Sequence, residues 1–596
     1  MKQKAAILGV ILLLVTAGYF IFSKDEGGGP VVSPVKKILS GKAARSGLDP
    51  ASLLPDNTVF YSRSTDMSSR LASLKDSRLG RAVQGIDLAR LAEATGAPQK
   101  TVDEINRGLG YIKQGLEHPL FKEVFGKKYA VALLAPAEGV NLQELTLETF
   151  LTGHLMVISR PDDPKKVLTS LEEVFSGKAE RKSYQHNGNE ITFFADENEA
   201  GLYVCPLKEL VLLTLSKKVM ENSLDLHKSG QNNLAARQHF AKYQKEFAGS
   251  HSFTFLQIDQ VKKIAAVLAD KLSPEVGEQL KPELDKLDGY EYVAAGTSYE
   301  KDGKIVCRSS MGLNKEKMAP YLKAIYFTSP EKNQTVHNMA HGSLLYYWLN
   351  NLDLQAYYQM LIEEGDFEQK DIDELNREFE QEIGMNLPDL LAIFGKKLTF
   401  AIKKSKTQMF LPIPDLYLGM NLQDKAKFEQ LIKKITSDNG VQVSTREYKG
   451  HTLNFFDELA QAGMKPGYVI KDDLLIIADN QQVMQEVIDS LDGAGNSDIS
   501  PDYKQVSKDF DQKNNSITYC NLAGCLEFTK GLVDWAAAFA TAGGNEDAKR
   551  LQVVLDELVY PLLDGFSMYT HFGSRAVVEG SELKGEAIIL TRKEEK

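Results

Sequence analysis

Cys520 and Cys525 stand five positions apart and are the most closely spaced of the chain's four cysteines, the others being Cys205 and Cys307. Such a pair can close a disulfide in an oxidising compartment or supply half of a metal site. No histidine or second cysteine pair lies nearby in sequence, and the short loop between the two weighs against an unstrained bridge. His337 and His341 have the i, i+4 spacing that sets two imidazoles on one helical face. They lack the glutamate of a zincin and fall just before Gly342 at a turn, so they read as surface histidines. Ser33-Pro34-Val35-Lys36 spells the Ser-x-x-Lys of acyl-transfer enzymes, but it sits in a Gly- and Pro-rich stretch with no helix to fix it. The chain has no Gly-x-Ser-x-Gly elbow and no phosphate-cradling Gly-x-x-x-x-Gly-Lys-Ser/Thr, and Gly108-Leu109-Gly110 is too short for a dinucleotide loop. Acidic runs at Glu363-Glu364-Gly365-Asp366 and from Asp371 to Glu382, the latter with Ile372, Leu375 and Phe379 at helical spacing, read as a solvated helix face. No catalytic, cofactor-binding or metal-binding residue is therefore assigned, no cofactor is expected, and the chain reads as a non-enzyme. A hydrolase assembled from distant residues is the least favoured reading.

The elements that would position any site must be sought over 596 residues, several times the common domain size of roughly 100 to 150. Hydrophobic content of 43% with 25% charged residues is that of a globular chain. A net charge of −11 and a pI near 5.6 give no global basic field, and Lys and Arg are scattered among Asp and Glu, so nucleic acid is not expected as a partner.

Lys2 and Lys4 precede an uncharged apolar run, Ala5 to Phe22, which Lys24-Asp25-Glu26 ends. Its length is near the lower end of the roughly 17 to 25 residues that cross a bilayer, and no Ala-x-Ala site or lipobox cysteine comes after it. Residues 1–24 read as an uncleaved signal anchor whose residues 5–22 enter the inner membrane, and the flanking lysines hold the N-terminus in the cytoplasm. A cleaved signal peptide is the alternative. In both cases the bulk lies in the periplasm or extracellular space. Residues 25–50, with Gly27-Gly28-Gly29-Pro30, read as a flexible tether.

Beyond the tether the chain repeats itself. Phe125-Gly126-Lys127-Lys128 returns as Phe394-Gly395-Lys396-Lys397, each time opening a strand-like run in which the lysines are exposed strand starts. The segments after these two stretches match in order. Strand and amphipathic helix over Leu155 to Phe175 match Leu416 to Ile435, and hairpins turn at Asn187-Gly188 and at Lys449-Gly450. Tyr203 and Leu210 align with Tyr468 and Leu475 at an offset of 265, since 468 minus 203 equals 475 minus 210. Phe253-Thr254-Phe255 meets Ile517-Thr518-Tyr519 at 264, and Leu287-Asp288-Gly289-Tyr290 meets Leu563-Asp564-Gly565-Phe566 at 276. At these offsets Cys205 faces Ile470, Cys520 faces Leu256 and Cys525 faces Val261, so buried apolar thiols are expected.

The pattern predicts an α+β chain of two tandem homologous copies, residues 51–330 and 331–596, after an N-terminal transmembrane helix. Each copy is expected to be a largely antiparallel sheet with helices packed on one face. The C-terminal helices carry the most apolar material. Trp535 and Phe539, with Val554, Leu555, Leu558 and Leu562, could line an apolar groove, though a stripe at helical spacing is more often core.

The signal anchor, Leu53-Leu54-Pro55-Asp56-Asn57-Thr58 before the first strand, the two Phe-Gly-Lys-Lys strand starts and the tandem α+β halves together resemble an uncharacterised bacterial family, a domain of unknown function found in envelope proteins. The resemblance implies location and duplication and carries no active site. The expectation is a membrane-anchored, extracytoplasmic binding or scaffolding protein of the bacterial envelope, with an envelope protein or lipid as partner. The alternative is a carrier of lipid or another hydrophobic molecule in a cleft between the copies.

Overall fold

The structure, a computed structural model, describes residues 47–592 except 137–149, 151–152, 178, 196–200, 273–277, 279–280, 283, 301–302, 334, 365–367, 406–412, 439, 461–463, 494–499 and 542–545. The expected anchor, residues 5–22, and the Ser33–Lys36 motif lie outside the described residues. Among the described residues no helix is long and apolar enough to cross a membrane. The chain forms two compact units. One runs to Tyr299 and takes in Lys549–Gly565; the other comprises Glu300–Ala548 and the chain from Phe566 onward.

Among the described residues the first unit has nine strands: β1 (Phe60–Thr65), β2 (Lys128–Leu133), β3 (Leu155–Arg160), β4 (Glu180–His186), β5 (Asn189–Ala195), β6 (Gly201–Leu207), β7 (Leu210–Thr214), β8 (Ser252–Gln257) and β9 (Tyr290–Tyr299). They pair antiparallel in the order β9-β8-β1-β2-β3-β7-β6-β5-β4. The second unit has β10 (Lys304–Leu313), β11 (Ser343–Leu349), β12 (Phe394–Lys403), β13 (Asp415–Leu422), β14 (Val443–Tyr448), β15 (His451–Phe456), β16 (Gly467–Lys471), β17 (Leu474–Ala478), β18 (Ser516–Cys520), β19 (Tyr569–Glu579) and β20 (Glu582–Thr591). Their antiparallel order is β10-β20-β19-β18-β11-β12-β13-β17-β16-β15-β14. Leaving out β10 and β20, the nine strands that remain, β19 to β14, repeat the first unit's order strand for strand. The fold is α+β and antiparallel, as the hairpin-linked pattern predicts.

Pairing fixes the equivalences that apolar pattern alone leaves open. Tyr61 faces Ala132 and Tyr346 faces Ala401, so β2 and β12 correspond at 401 minus 132, or 269, the spacing of the two Phe-Gly-Lys-Lys stretches. The next hairpin corrects the sequence reading by one residue. Lys208 and Asp472 hold its turn at φ 55° and 57°, and Leu207 pairs Leu210 as Lys471 pairs Leu474, an offset of 264 rather than 265. Cys205 therefore matches Val469, not Ile470. The closing strands shift too: Phe255 faces Ala294 and Tyr519 faces Gly573, giving 573 minus 294, or 279, in place of 276.

Helices cover both faces of each sheet, which corrects the one-face expectation. The first unit's helices are α1 (Arg78–Gly85), α2 (Pro119–Phe125), α3 (Pro164–Phe175), α4 (Lys217–Ser229), α5 (Gln238–Glu246) and α6 (Ile258–Leu272), among others. Ala130 and Ala132 of β2 pack in one cluster with α4 and α5, while Tyr129 and Val131 pack in another with α2 and α3. Alternate residues of a strand point to opposite faces, so a strand apolar throughout requires cover on both. β7, Leu-Val-Leu-Leu-Thr, is buried at every position. The second unit adds α7 (Val336–Ala340), α8 (Lys425–Asp438), α9 (Gln481–Leu491), α10 (Pro501–Val506) and α11 (Leu522–Thr541). Its clusters divide likewise, with α9 and α10 on one and α8 on the other. The C-terminal helices α12 (Glu546–Val554) and α13 (Tyr560–Phe566) flank a π-helical turn, Leu555–Val559. Most of this stretch belongs to the first unit, where Gly565 lies so near α1 that an added Cβ would be 2.9 Å from Ala82.

The Phe-Gly-Lys-Lys stretches show why their glycines recur. A Cβ on Gly126 would lie 2.1 Å from the Lys122 carbonyl oxygen, and one on Gly395 would lie 2.0 Å from the Asn421 side chain. Three of the four lysines after them are ion-paired at the surface: Lys127 with Asp162, Lys396 with Asp353 and Lys397 with Glu331, the last two at 2.7 Å.

Candidate functional site

The first unit holds a pocket of about 600 Å³ along α4. The sequence sets up this helix plainly. Ser216 caps it by accepting from the Val219 N–H, and Gly230 ends it at φ 67°. Val219, Met220, Ser223 and Leu224 face the core. One turn further round, Lys218, Asn222, Asp225, Leu226 and Ser229 line the pocket, spaced at three or four residues as one helical face requires. Opposite them stand His154, just before β3, and Pro55, Asn57 and Leu134.

Most of the pocket surface is apolar, from Pro55, Leu134, Val219 and Leu226, with the polar groups of Lys218, Asn222 and Asp225 set among them on the helix side. His154 directs Nδ1 at the Phe150 carbonyl, 3.1 Å away, and its ring lies 5.1 Å from the Phe150 ring. Burial pushes its pKa down, the carbonyl contact opposes that, and the Lys218 charge adds to the lowering, so the imidazole is neutral at pH 7. Asp225 accepts from His186 Nε2 at 2.7 Å and from Asn187 Nδ2 at 2.5 Å, which ties the β4–β5 hairpin to the helix. Lys218 is exposed, and among the described residues no carboxylate is ion-paired with it. The pocket thus offers the Lys218 cation, the Asp225 carboxylate already engaged by His186 and Asn187, a neutral imidazole and several neutral hydrogen-bonding groups, suited to a small polar or anionic molecule.

The same place in the second unit has other chemistry. Leu155 matches Leu416 and Ser216 matches Asn480, so His154 corresponds to Asp415 and Lys218 to Gln482. Asn480 caps α9 through the Val483 N–H and donates its amide to Asp415 Oδ1 at 3.2 Å and Asp479 Oδ1 at 2.9 Å. Asp479 Oδ2 accepts from the Leu416 N–H at 2.9 Å. Burial first, with the neighbouring Asp415 charge adding, pushes the Asp479 pKa up to about 6 against the lowering by that backbone donor.

The sequence-predicted residues are spread over both units. Trp535 and Phe539, on α11 in the second unit, have ring centroids 4.7 Å apart, with Phe539 56% exposed. Val554, Leu555, Leu558 and Leu562 lie in the stretch assigned to the first unit, where Leu555 is buried and the other three are half-buried. His337 and His341 are not surface histidines. They are half-buried and set edge-on to the Tyr503 ring, with His337 Nδ1 3.2 Å from the Tyr503 hydroxyl and His341 Nε2 accepting from the Ser500 N–H at 3.3 Å. Gly108 to Gly110 lie within a helix, Gln99–Glu117. The helix Gln369–Glu382 contains no buried residue, as a solvated face requires. Cys205 is buried and its thiol is pushed up to about 11 by that burial. Cys520 and Cys525 are half-buried with their Sγ atoms 3.5 Å apart. Among the described residues no three His, Cys, Asp or Glu side chains converge as metal ligands would. The sequence reading missed the pocket; its one legible trace was the polar stripe Lys218, Asn222, Asp225 and Ser229.

A family described as "Protein of unknown function (DUF3352)" matches residues 126–393 and again residues 369–543. The chain belongs to this family. The first DUF3352 match starts at Gly126 of the first Phe-Gly-Lys-Lys and spans β2 to β11, so α4 and its pocket lie inside it; the second takes in β12 to β18. No curated protein matches the chain. One solved structure, crystal form I of TP0453, is similar at 12% identity over 45% of this chain and 80% of its own, with a TM-score of 0.22, and carries no argument about fold or function.

Proposed function

We propose that this DUF3352 protein is a membrane-tethered, extracytoplasmic binding protein of a bacterial envelope, non-catalytic, with two homologous α+β copies of which the first takes up a small polar or anionic ligand. The observation that carries the binding role is the pocket of about 600 Å³ lined by His154, Lys218, Asn222 and Asp225. That volume is within the range of small-molecule sites, roughly 300 to 1,000 Å³. The tether is inferred from the uncharged run Ala5 to Phe22 behind Lys2 and Lys4, which would hold the chain in the inner membrane. The matching strand order supports common descent of the two copies.

The test is a melting-temperature screen of the full chain in detergent against inorganic phosphate, citrate and a hexose phosphate. The reading expects at least one probe to raise the melting temperature of the wild type and not that of Lys218→Glu. It fails if no probe acts, or if the variant responds equally. A second reading, a carrier of lipid, is favoured by α11, where Phe539 is 56% and Leu532 38% exposed. Lipid recovered in stoichiometric amount from the delipidated protein after incubation with vesicles would support it.

A further inference from the structure

Cys520 and Cys525 stand at the two positions that meet at a helix start. Asn521 is the cap of α11: its side chain accepts from the Gly524 N–H at 2.9 Å, and its carbonyl accepts from the Cys525 N–H at 2.8 Å. Cys520 is thus the residue before the cap, and Cys525 is the fourth residue of the helix. These two places pack against each other as a hydrophobic staple, which fixes the angle at which the chain enters the helix. At the corresponding start of α6 the residues are Leu256 and Val261, an ordinary apolar pair. In the second unit the staple consists of two thiols, Sγ to Sγ 3.5 Å, both half-buried.

We propose that Cys520 and Cys525 are a reversible dithiol–disulfide pair that clamps the start of α11 to the end of β18. The chemistry is thiol–disulfide exchange with a low-molecular-weight disulfide. The Cys525 thiolate attacks one sulfur of the oxidant, forming a mixed disulfide and expelling one thiolate. The Cys520 sulfur, as thiolate, then attacks Cys525 Sγ and expels the second. Two protein thiols are oxidised, one small disulfide is reduced to two thiols, and the protons pass to the thiolates released. Cys525 suits the attacking role. It lies in the first turns of a helix, where exposed N–H groups favour negative charge, and the hydrogen bond from Cys520 holds its pKa down. Its Sγ is also 3.5 Å from the Leu344 carbonyl, whose oxygen accepts from the Asn521 N–H at 2.8 Å, so β11, the cap and the thiol meet at one point. Cys205, buried on β6, has no such partner thiol and stays reduced.

The test titrates the reduced full chain in detergent through a series of reduced and oxidised glutathione, quenches with acid, alkylates and digests with trypsin. Asn514 to Lys530 carries both cysteines in one peptide. The expected product is that peptide lighter by two hydrogens and closed to alkylation at the oxidising end, reverting at the reducing end. Two alkyl groups throughout the series, or glutathione retained on one cysteine as the final product, overturns the pair. The double variant Cys520→Leu/Cys525→Val, which copies the other unit's staple, separates clamping from folding. Oxidation is expected to raise the wild-type melting temperature by about 3 °C and to leave the variant's unchanged; equal responses overturn the clamp. Oxidation in the cell rests on the proposed extracytoplasmic placement. A pair that closes in glutathione yet is recovered reduced from cells counts against that placement, and the pair itself stands.

Discussion

Helices α4 and α9 occupy the same place in two units whose nine corresponding strands share one order, yet the place beside one is lined by His154 and Lys218 and that beside the other by Asp415 and Asp479. The two places share the part that the fold needs. Ser216 and Asn480 both cap their helices, and Met220 and Met484 both lie fully buried beneath them. The hairpins are tied down alike, His186 to Asp225 at 2.7 Å and Tyr448 to Asp489 at 2.9 Å, each behind a turn with two positive φ angles, at Asn187-Gly188 and Lys449-Gly450. The contact persists while its chemistry changes. Backbone, caps and core define this place, and its lining is free to differ between the units.

Four predictions press on that comparison. The largest effect belongs to the shared core: Met220→Ala and Met484→Ala should each destabilise by about 2–5 kcal/mol, read by denaturant unfolding, and a tolerant site in one unit would break the equivalence. Next come two buried tyrosines in matching strands. The Tyr346 hydroxyl accepts from Asn333 Nδ2 at 2.8 Å, whereas the fully buried Tyr61 hydroxyl has no hydrogen-bond partner among the described residues. Tyr346→Phe should cost about 1–2 kcal/mol while Tyr61→Phe is neutral or stabilising, since removing an unsatisfied buried group relieves its desolvation.

The caps are third. Ser216→Ala and Asn480→Ala should each cost about 1 kcal/mol, and glycine at either place only a few tenths.

The smallest effects are those of pH, and the two units respond in opposite senses. Asp479 titrates near 6 when folded against 3.8 as its ordinary value, so the folded state holds the proton more tightly. Its contribution is favourable at low pH and is lost as pH rises from about 4 to 6. Partial exposure limits the size to on the order of 1 kcal/mol, and Asp479→Asn should remove the slope. His154 is depressed instead, so its contribution is present at pH 7 and lost as pH falls through and below about 6.5, a slope that His154→Gln should remove. Unfolding midpoints of the variants across pH 4 to 8 would check both.

Much of the fold was legible, for physical reasons that attach to particular residues. The Gly in each Phe-Gly-Lys-Lys is forced by close approach, and the hairpin at Lys449-Gly450 by positive φ, so both leave marks in sequence. The aromatic run Phe253 to Phe255 was placed against Ile517 to Tyr519 correctly because polar residues alternate with it. Leu210 to Leu213 and Leu474 to Ile477 are apolar throughout, so nothing in their pattern fixes the phase, and the alignment slipped by one residue. The same unbroken run signalled burial on both faces, which the one-face expectation overlooked. The pocket was not legible because His154 and Lys218 meet only through the β3–β7 pairing, at no characteristic spacing. The burial of His337 and His341 is not legible because their partner, Tyr503, is far along the chain.

Whether the place along α4, and not that along α9, receives a ligand is read by native mass spectrometry of the full chain released from detergent, wild type beside Leu226→Trp and Ser490→Trp. Leu226 lines the pocket, and Ser490 is its counterpart on α9. The expected result is a bound small molecule that is lost from Leu226→Trp and retained by Ser490→Trp. An adduct retained by both, or lost only from Ser490→Trp, would contradict it.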